Sequence, residues 1–238
     1  MAEVAAIAND ARFSRQSQII APDLASAQVL LGGVGMLGGS TGLALSKCVA
    51  HVACFDPDVV EDVNSGNQVY NGRHIGMPKG KALEDLAAGL PLSSEHEPFP
   101  LSRAPSELLP NPREGRKLIV MSGADSFKVR ADLANYARHH EADLFVDTRA
   151  MGELCIICIV PPHQIERYLR DEVIRDEDAP AQPCGMNGTA YMGSYVAGRV
   201  VAYLNTYFKV GGARVPFIRV EDLGPGGVLR EEFSEEAQ

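Results

Sequence analysis

Glycine residues near the start of the sequence have the spacing of a phosphate-binding turn. Gly33-Val-Gly-Met-Leu-Gly38 follows the pattern G-x-G-x-x-G and lies directly between an apolar segment, Ala27–Leu31, and a helical stretch. In this pattern the first glycine permits a tight turn, Gly35 lets a phosphate approach the backbone, and Gly38 lets the helix pack closely. The helix N-terminus adds positive potential. We therefore expect a nucleotide to bind here; the alternative is a glycine-rich turn without a ligand.

Carboxylates follow at the place where a ribose contact is expected. Asp56 ends a second apolar segment, His51–Phe55, about 20 residues after the glycine pattern, and Asp58 follows it closely. A carboxylate at this place accepts hydrogen bonds from ribose hydroxyls. Because NAD and ATP both contain ribose and phosphates, the pattern predicts a nucleotide but does not distinguish between these two.

Other polar side chains recur in short motifs between the predicted elements. These are Phe13-Ser-Arg-Gln16, Asn64 with Gln68, Gly76-Met-Pro-Lys79, Gly123-Ala-Asp125 and Arg130. Together with the glycine pattern they resemble, in the same order, the motifs of the ThiF/MoeB/HesA family, which are ATP-dependent activating enzymes of ubiquitin-like and sulfur-carrier proteins. The family motifs read R-Y-x-R-Q, G-x-G-G-x-G, D-x-D-x-V-x-x-x-N-x-x-R-Q, G-x-P-K and T-D-N-x-x-x-R. The resemblance extends from Phe13 to Leu204 and is greatest to the minimal ThiF-like proteins of bacteria and phages.

The resemblance implies a reaction. In this family a carboxylate, usually the C-terminal glycine of a small protein, attacks the α-phosphate of ATP and gives an acyl-adenylate and pyrophosphate. Such a step needs positive charge on the phosphates and a metal ion, Mg²⁺, to offset the developing charge. The resemblance therefore implies an ATP-dependent adenylyltransferase whose partner is a ubiquitin-like or sulfur-carrier protein.

The resemblance also implies roles for single residues. Asp56 would hold the ribose, Lys79 would contact the phosphates, and Asp125 would hold Mg²⁺, an ion that binds through one or two carboxylates plus phosphates. Asn64 would bond phosphate or ribose. Arg15 matches an arginine that reaches into the partner subunit's site, so a homodimer is part of the expectation.

Taken alone, some of these residues have simpler interpretations. An isolated Lys79 or Arg15 is typical of a solvated surface. An isolated Asp125 is typical of a helix N-cap, a role that Ser126 could share. The functional interpretation depends on all of them occurring together in the family's order.

The sequence departs from the family pattern at one position that matters for charge. Asn67, followed by Gln68, stands where a phosphate-contacting arginine is expected. An amide lacks the charge and the bidentate fork of a guanidinium group. Arg149, in the segment Asp147-Thr-Arg-Ala-Met-Gly152, is a candidate substitute because the carboxyl ends of parallel strands line the ligand crevice. The alternative is an ion pair at the end of a strand.

The five cysteines favour a reducing environment. Their odd number and irregular spacing argue against a disulfide framework. Cys155 and Cys158 form a C-x-x-C pair inside an apolar strand-like run, which favours core residues over metal ligands or a redox pair. Cys184 lies where family members carry a cysteine before a long helix; a covalent role toward the carrier protein and a structural role are both open. The two zinc-binding C-x-x-C pairs of many family members are absent from the sequence.

Composition limits the function classes. The chain has 238 residues, of which 45% are hydrophobic, and its net charge is −9. This acidic balance argues against a general nucleic-acid or anionic-membrane binder, because phosphate neutralisation needs clustered Lys and Arg. No apolar run reaches the roughly 18 residues that a membrane span needs. The N-terminus has no signal-peptide pattern, so we expect a cytoplasmic location.

The predicted elements alternate between strand and helix. This alternation predicts an α/β fold with a doubly wound, Rossmann-like sheet, mostly parallel, and an antiparallel extension after the fifth strand. We expect a short edge strand near Pro98–Leu101 and a long helix at Met186–Tyr207. The whole chain, 1–238, is interpreted as a single nucleotide-binding domain of the ThiF type. It would have a helical arm at 1–26, a solvated crossover loop at 161–183 over the incoming substrate tail, and an acidic tail at 231–238.

Two other functions remain open. The first is a degenerate nucleotide-binding module that kept the fold but lost adenylation with the arginine expected at position 67. The second is an NAD-dependent oxidoreductase, which would not require Lys79, Asp125 and Arg15 at their positions. Magnesium-dependent ATP binding separates the last alternative from the others.

Overall fold

An eight-stranded mixed sheet forms the centre of the fold. The computed structural model describes residues 11–110, 115–178, 188–224 and 226–233. The strands are β1 Gln28–Gly32, β2 His51–Phe55, β3 Leu92–Glu95, β4 Leu118–Ser122, β5 Leu144–Met151, β6 Leu154–Val160, β7 Pro216–Asp222 and β8 Gly227–Phe233. Their order across the sheet is β3-β2-β1-β4-β5-β6-β7-β8.

Strand direction divides the sheet into two parts. The strands from β3 to β5 pair in parallel, and β6, β7 and β8 continue the sheet in antiparallel pairs. The predicted mostly parallel sheet with an antiparallel extension after the fifth strand is therefore confirmed. The change of strand order between β1 and β4 creates a crevice at the carboxyl ends of these strands, where open α/β sheets bind ligands.

Helices cover both faces of the sheet. They are α1 Pro22–Ser26, α2 Met36–Leu45, α3 Lys79–Leu86, α4 Pro105–Leu108, α5 Phe127–His139, α6 Ile165–Asp171 and α7 Ala190–Val210. Residues of α2, α3 and α7 pack on one face of the sheet and form the first core. Residues of α4, α5 and α6 pack on the opposite face and form the second core. Every residue of β1 and β4 is buried as a result, which explains their continuous apolar sequences. No helix in the described ranges has the length and apolar character needed to cross a membrane.

The edge strand lies earlier in the chain than predicted. The prediction of a strand near Pro98–Leu101 is wrong, because β3 occupies Leu92–Glu95 and pairs in parallel with β2. The two prolines of the predicted segment lack the N–H groups that a ladder requires. Its apolar residue, Phe99, instead packs edge-on against Phe55, with 5.1 Å between the ring centroids.

The predicted solvated loop at 161–183 is wrong for its first half, where α6 forms. Ile165 and Tyr168 are 1% and 0% exposed and pack into the second core. Apolar residues three apart among charged ones are typical of an amphipathic helix. The two prolines at 161 and 162 precede α6, where a missing N–H group is tolerated. Residues 179–183 lie outside the described residues.

The two ends of the chain also differ from expectation. The predicted helical arm at 1–26 contains, from residue 11 onward, only a 3-10 turn at Ala11–Phe13 and the short α1. Its Phe13 and Leu24 are buried, so this segment packs on the domain. Of the predicted acidic tail at 231–238, the first three residues complete β8, where Glu231 pairs with Arg219 across the ladder. The long helix predicted at Met186–Tyr207 is α7, which begins at Ala190, after the N-cap residue Thr189, and ends at Val210.

Two backbone turns meet closely at the carboxyl ends of β1 and β4. A Cβ atom added to Gly38 would overlap the carbonyl oxygen of Gly33, and one added to Gly123 would lie 2.7 Å from that same oxygen. Gly33 has φ +84°, a conformation that side chains rarely adopt. These glycines therefore allow the turn after β1 to rest on the turn after β4.

Gly38→Ala should destabilise the fold, because the added methyl group meets backbone that cannot move independently. We expect a loss of about 3 kcal/mol or more in the free energy of unfolding, measured by urea titration. The matched control is Gly198→Ala in α7, where an added Cβ meets nothing within 4 Å. That change should raise stability by roughly 0.5–1 kcal/mol, because glycine is a poor helix former. Equal effects of the two substitutions would contradict the close contact.

Candidate functional site

The glycine turn leaves open space at the start of α2. Gly35 is the N-cap residue of α2, and a Cβ atom added there would have no atom of a described residue within 4 Å. The turn is held by two bonds, since Gly33 N donates to Phe55 O at 2.8 Å and Gly123 N donates to Gly32 O at 2.8 Å. The positive end of the helix dipole therefore faces an unobstructed space of the kind that binds phosphate.

A chain of hydrogen bonds connects the glycine turn to the end of β2 and to α3. Asp56 is 4% exposed; its Oδ2 accepts from Val34 N at 2.7 Å, and its Oδ1 accepts from Asp58 N at 2.8 Å. Asp58 Oδ2 in turn accepts from Lys79 Nζ at 2.7 Å. Asp56 thus holds the glycine turn, and Asp58 holds the side chain of Lys79.

Lys79 is not a solvated surface residue. Its side chain is 11% exposed, although that of its partner Asp58 is 63% exposed. The backbone N–H of Lys79 also donates to Asp58 O at 2.9 Å, which places Lys79 at the first residue of α3. The surface interpretation of this lysine is therefore wrong, and its ammonium group is held beside the carboxyl end of β2.

The segment between β2 and α3 packs over the glycine turn. Tyr70 is buried, and its hydroxyl donates to Val34 O at 2.6 Å. Asn64 Oδ1 accepts from Glu61 N at 2.9 Å, which closes a short 3-10 turn. Asn64 therefore shapes the segment in this structure, and a contact between its side chain and phosphate or ribose stays a prediction.

Asn67 and Gln68 carry unpaired acceptors. Asn67 Oδ1 and Gln68 Oε1 are buried, and no described residue donates to either oxygen. Buried carbonyl oxygens without a donor are rare in folded proteins. A carbonyl oxygen accepts hydrogen bonds and carries no positive charge, so Asn67 Oδ1 cannot replace a guanidinium group that donates to phosphate. In this orientation the oxygen is suited to a hydroxyl or amino group of a ligand.

The N-terminus of α5 lies at the same sheet edge. Asp125 precedes it and is exposed. Ser126 is the N-cap residue, with its Oγ accepting from Val129 N at 3.3 Å; the N-cap role considered for Asp125 is therefore filled by its neighbour. The carboxylate of Asp176 lies at the N-terminus of α5, where it accepts a hydrogen bond from Phe127 N at 2.5 Å. Hydrogen bonds from Ser126 and from the Phe127 amide hold the pKa of Asp176 below its usual range.

Two arginines share one buried carboxylate at the end of β5. Asp147 is fully buried and pairs with Nη1 of Arg130 through Oδ1 and with Nε of Arg149, at 2.6 Å, through Oδ2. Tyr168 donates its hydroxyl to the same Oδ2 at 2.9 Å. The ion pair considered as the alternative for Arg149 is thus present, and two positive charges stand against one negative charge.

Burial and charge act in opposite directions on this cluster. Burial alone would raise the pKa of Asp147, but Arg130 and Arg149 outweigh it and lower the pKa below its usual range. Burial tends to lower the pKa of Arg149, and Asp147 raises it above its usual range. The carboxylate and the guanidinium group are therefore both ionised at neutral pH.

Two of the predicted residues are not brought to this site. Arg15 is exposed, in a segment whose Arg12 and Gln16 bond Ser46 O and Lys47 O at the C-terminal end of α2. The glycine turn is at the other end of α2, so Arg15 does not reach the glycine turn of its own chain. Cys184 lies outside the described residues.

The cysteine pair is part of the core. Cys155 and Cys158 are 1% and 0% exposed and belong to the cores on opposite faces of the sheet. Burial raises the pKa of Cys155 to about 11. The preference for core residues over a metal or redox pair is confirmed. Within the described ranges no group of three or more His, Cys, Asp or Glu side chains is arranged to hold a metal ion.

A cleft of about 140 Å³ lies at the opposite edge of the sheet. Its lining includes Gln28 and Leu118, the first residues of β1 and β4, together with Lys117 and Leu109. Since ligands of open α/β sheets bind at the carboxyl ends of the strands, this cleft is separate from the candidate site. Sequence reasoning missed Tyr168 and Asp176 at the site, because both were assigned to a solvated loop.

Comparisons with known proteins identify related folds. No protein-family model and no curated protein sequence matches the chain. Among solved structures, PaaA matches with a TM-score of 0.64 and 16% identity, over 98% of this chain and 72% of PaaA. E. coli MccB with ATP matches with a TM-score of 0.65 and 12% identity, over 97% of this chain and 74% of MccB. MccB with AMPCPP and MccA gives a TM-score of 0.64 at 12% identity over the same shares. At these identities the similarity shows a shared fold across nearly the whole chain.

Asp147→Asn should leave two buried arginines without a counter-charge. We expect a loss of about 3–5 kcal/mol in the free energy of unfolding at pH 7, measured by urea titration. The control is Asp132→Asn, which breaks the exposed pair with Lys128 and should cost less than about 1 kcal/mol. A loss at Asp147 no larger than at Asp132 would contradict the assignment.

The same carboxylate predicts a pH dependence. The folded-state pKa of Asp147 is lowered, so its contribution to stability is complete above about pH 4, where an unfolded aspartate ionises. The contribution is lost as the pH falls through the folded-state pKa. Below about pH 4 the stability of the unaltered chain should fall more steeply than that of Asp147→Asn, by about 1.4 kcal/mol per pH unit for the one proton involved. Parallel curves would show that Asp147 is not ionised in the fold.

Proposed function

We propose that the protein is an ATP-dependent adenylyltransferase that activates a carboxylate. The observation that carries the proposal is the hydrogen-bonded chain from Val34 through Asp56 and Asp58 to Lys79, beside the open space at Gly35. This hydrogen-bonded chain connects the glycine turn, which would bind phosphate, with Asp56, which would bind ribose, and with the buried ammonium group of Lys79. All three lie at one edge of the sheet. The motifs that resemble the ThiF/MoeB/HesA family contribute these same residues.

The related solved structures support ATP as the nucleotide. E. coli MccB, which shares the fold at 12–13% identity, has been crystallised with ATP, with AMPCPP and with MccA. We infer that this chain binds ATP in the corresponding crevice. By the sequence resemblance, the substrate is the C-terminus of a ubiquitin-like or sulfur-carrier protein.

The proposed step is a displacement at the α-phosphorus. A carboxylate oxygen of the substrate forms a bond to the α-phosphorus, and the bond from that phosphorus to the bridging oxygen of the β-phosphate breaks. The products are an acyl-adenylate and pyrophosphate, which carries away the electron pair. No proton needs to move at the reacting atoms, so the chain's task is positioning and charge stabilisation.

The described residues fit a magnesium-bound nucleotide. Asp125 is exposed at the start of α5, and Mg²⁺ commonly binds through one or two carboxylates plus phosphate oxygens and water. When bound, the ion would neutralise phosphate charge. Lys79 would contact the phosphates as a point charge, and backbone N–H groups at the start of α2 would hold them. Asn67 Oδ1 and Gln68 Oε1 would accept from nucleotide hydroxyl or amino groups.

Two further elements belong to the proposal. Because Arg15 lies at the far end of α2 from its own cradle, its expected role requires a homodimer in which it acts on the partner's site. Cys184 is proposed as the residue that could accept the activated acyl group, because the resemblance places it where family members carry a cysteine and a thiol can act as a nucleophile.

A degenerate nucleotide-binding module is the second candidate. It is favoured by the charge pairing at the site: Lys79 is paired with Asp58, and Arg149 is paired with Asp147. With Asn67 in place of an arginine, few unpaired cations remain near the phosphates. Such a protein would bind ATP without breaking its α–β bond.

Calorimetry and isotope exchange together test the proposal. ATP and NAD⁺ are titrated into the protein with and without Mg²⁺, and ATP–pyrophosphate exchange is followed with candidate carrier proteins that end in Gly-Gly. Magnesium-dependent ATP binding with exchange is the expected result. ATP binding without exchange for any carrier would favour the degenerate module, and NAD⁺ binding without ATP binding would overturn the proposal.

Asp125→Ala should abolish magnesium-dependent turnover while the fold persists. We expect exchange to fall by roughly 100-fold or more, because the proposed carboxylate ligand is removed. Asp132→Ala, on the exposed side of the same helix, is the control and should exchange at the unaltered rate. Circular dichroism checks the fold of both variants. Unchanged exchange in Asp125→Ala would show that the metal ligand lies elsewhere.

A further inference from the structure

α6 contributes a phenol to the arginine cluster at the end of β5. Tyr168 is fully buried, and its ring packs edge-on against Phe145 with 5.1 Å between the centroids. Its hydroxyl donates to Asp147 Oδ2 at 2.9 Å and accepts from Arg149 Nη2 at 3.3 Å. Since Arg149 Nε also donates to Asp147 Oδ2 at 2.6 Å, the three side chains close a ring of hydrogen bonds.

This ring determines how the guanidinium group of Arg149 is presented. Nε and Nη2 are occupied by Asp147 and Tyr168, and Nη1 makes no bond to a described residue. The guanidinium carbon lies 5.0 Å from the ring centroid of Phe127 and 5.8 Å from that of Tyr168. Two aromatic faces and two hydrogen bonds therefore fix its plane and leave one donor edge for a ligand.

The location of that donor edge is relevant to the crevice. Phe127, against which Arg149 packs, is the first residue of α5 and follows Asp125 by two positions. Arg149 thus lies beside the helix start to which the magnesium role is assigned. Arg130 and Arg149 share the single carboxylate of Asp147. The other acidic group that Arg130 influences is the exposed Asp176 at the start of α5. Among the described residues, the charge of Arg149 therefore has no carboxylate partner of its own besides the shared Asp147.

We propose that Tyr168 is a positioning residue that holds Arg149 for the polyphosphate of the nucleotide, and that the pair replaces the arginine missing at position 67. This inference rests on the proposed function for the identity of the ligand. Tyr168 does not contact the nucleotide; it fixes the cation that does.

The attachment of α6 to the rest of the fold supports this role. The guanidinium carbon of Arg167 lies 4.6 Å from the ring centroid of Phe217 in β7. Glu172, next after α6, is 7% exposed and pairs with Arg230 of β8 at 2.9 Å. Contacts made by residues before and after Tyr168 in the sequence therefore hold α6 against the antiparallel strands. The hydroxyl group of Tyr168 has a defined position as a result.

Tyr168→Phe removes the hydroxyl and keeps the packed ring. The probe is inorganic tripolyphosphate with Mg²⁺, titrated by calorimetry, because its binding requires neither ribose nor adenylation. We expect the affinity to fall about tenfold, the effect of losing one charge-assisted hydrogen bond. The same factor should appear in KM for ATP if exchange occurs, with kcat changed less. Tyr136→Phe is the matched control, since Tyr136 is 3% exposed and its hydroxyl bonds Arg103 O at 2.9 Å, away from the cluster.

A double-variant cycle identifies the route of the effect. Arg149→Gln should weaken tripolyphosphate binding by at least as much as Tyr168→Phe, and the double variant should be no weaker than Arg149→Gln alone. Three results would overturn the inference. They are additive losses of affinity in the double variant, a loss in Tyr168→Phe equal to that in Tyr136→Phe, and no binding of tripolyphosphate by the unaltered chain. Tripolyphosphate binding with the expected non-additive losses, but without pyrophosphate exchange, would support the inference and contradict the proposed adenylyltransferase function.

Discussion

The contact between two glycine turns is the constraint on which the site depends. Gly38 and Gly123 have no side chains where the turn after β1 meets the turn after β4, and Gly33 takes a left-handed conformation there. Parallel pairing of β1 with β4 places the start of α2 and the start of α5 at the same edge of the sheet, and the glycines let the two turns touch. The cradle at Gly35 and the carboxylate at Asp125 belong to these two helix starts, so both positions follow from backbone packing.

The sequence predicted those parts of the molecule that local patterns determine. The parallel strands have continuous apolar sequences because both faces are covered, and the glycine spacing marks the turn between β1 and α2. The edge strand β3 could not be located in this way. It is half-buried, contains two serines and is defined by its pairing with β2, and pairing between distant segments leaves no local pattern.

The sequence predicted which residues belong to the candidate site, but not the hydrogen bonds and ion pairs that these residues make with one another. The motifs indicated Asp56, Lys79 and Asp125, but no spacing shows that Asp56 and Asp58 bond to a glycine turn and a lysine. Tyr168 was missed because charged neighbours made its segment resemble a loop, and its apolar face becomes evident only when the second core is known. Whether Arg149 is paired or free depends on three elements that are distant in sequence, and the structure shows the pairing.

Charge pairing explains how an acidic chain can hold cations at the crevice. A buried cation alone carries a large desolvation cost, which a neighbouring carboxylate reduces. Asp58 does this for Lys79, and Asp147 does it for Arg130 and Arg149. At β5 two arginines share one carboxylate, two aromatic rings lie near the guanidinium group of Arg149, and its Nη1 makes no hydrogen bond to a described residue. A net charge of −9 over the whole chain is therefore compatible with cations held at the crevice, because the field there depends on the nearest charged groups and their geometry rather than on the total.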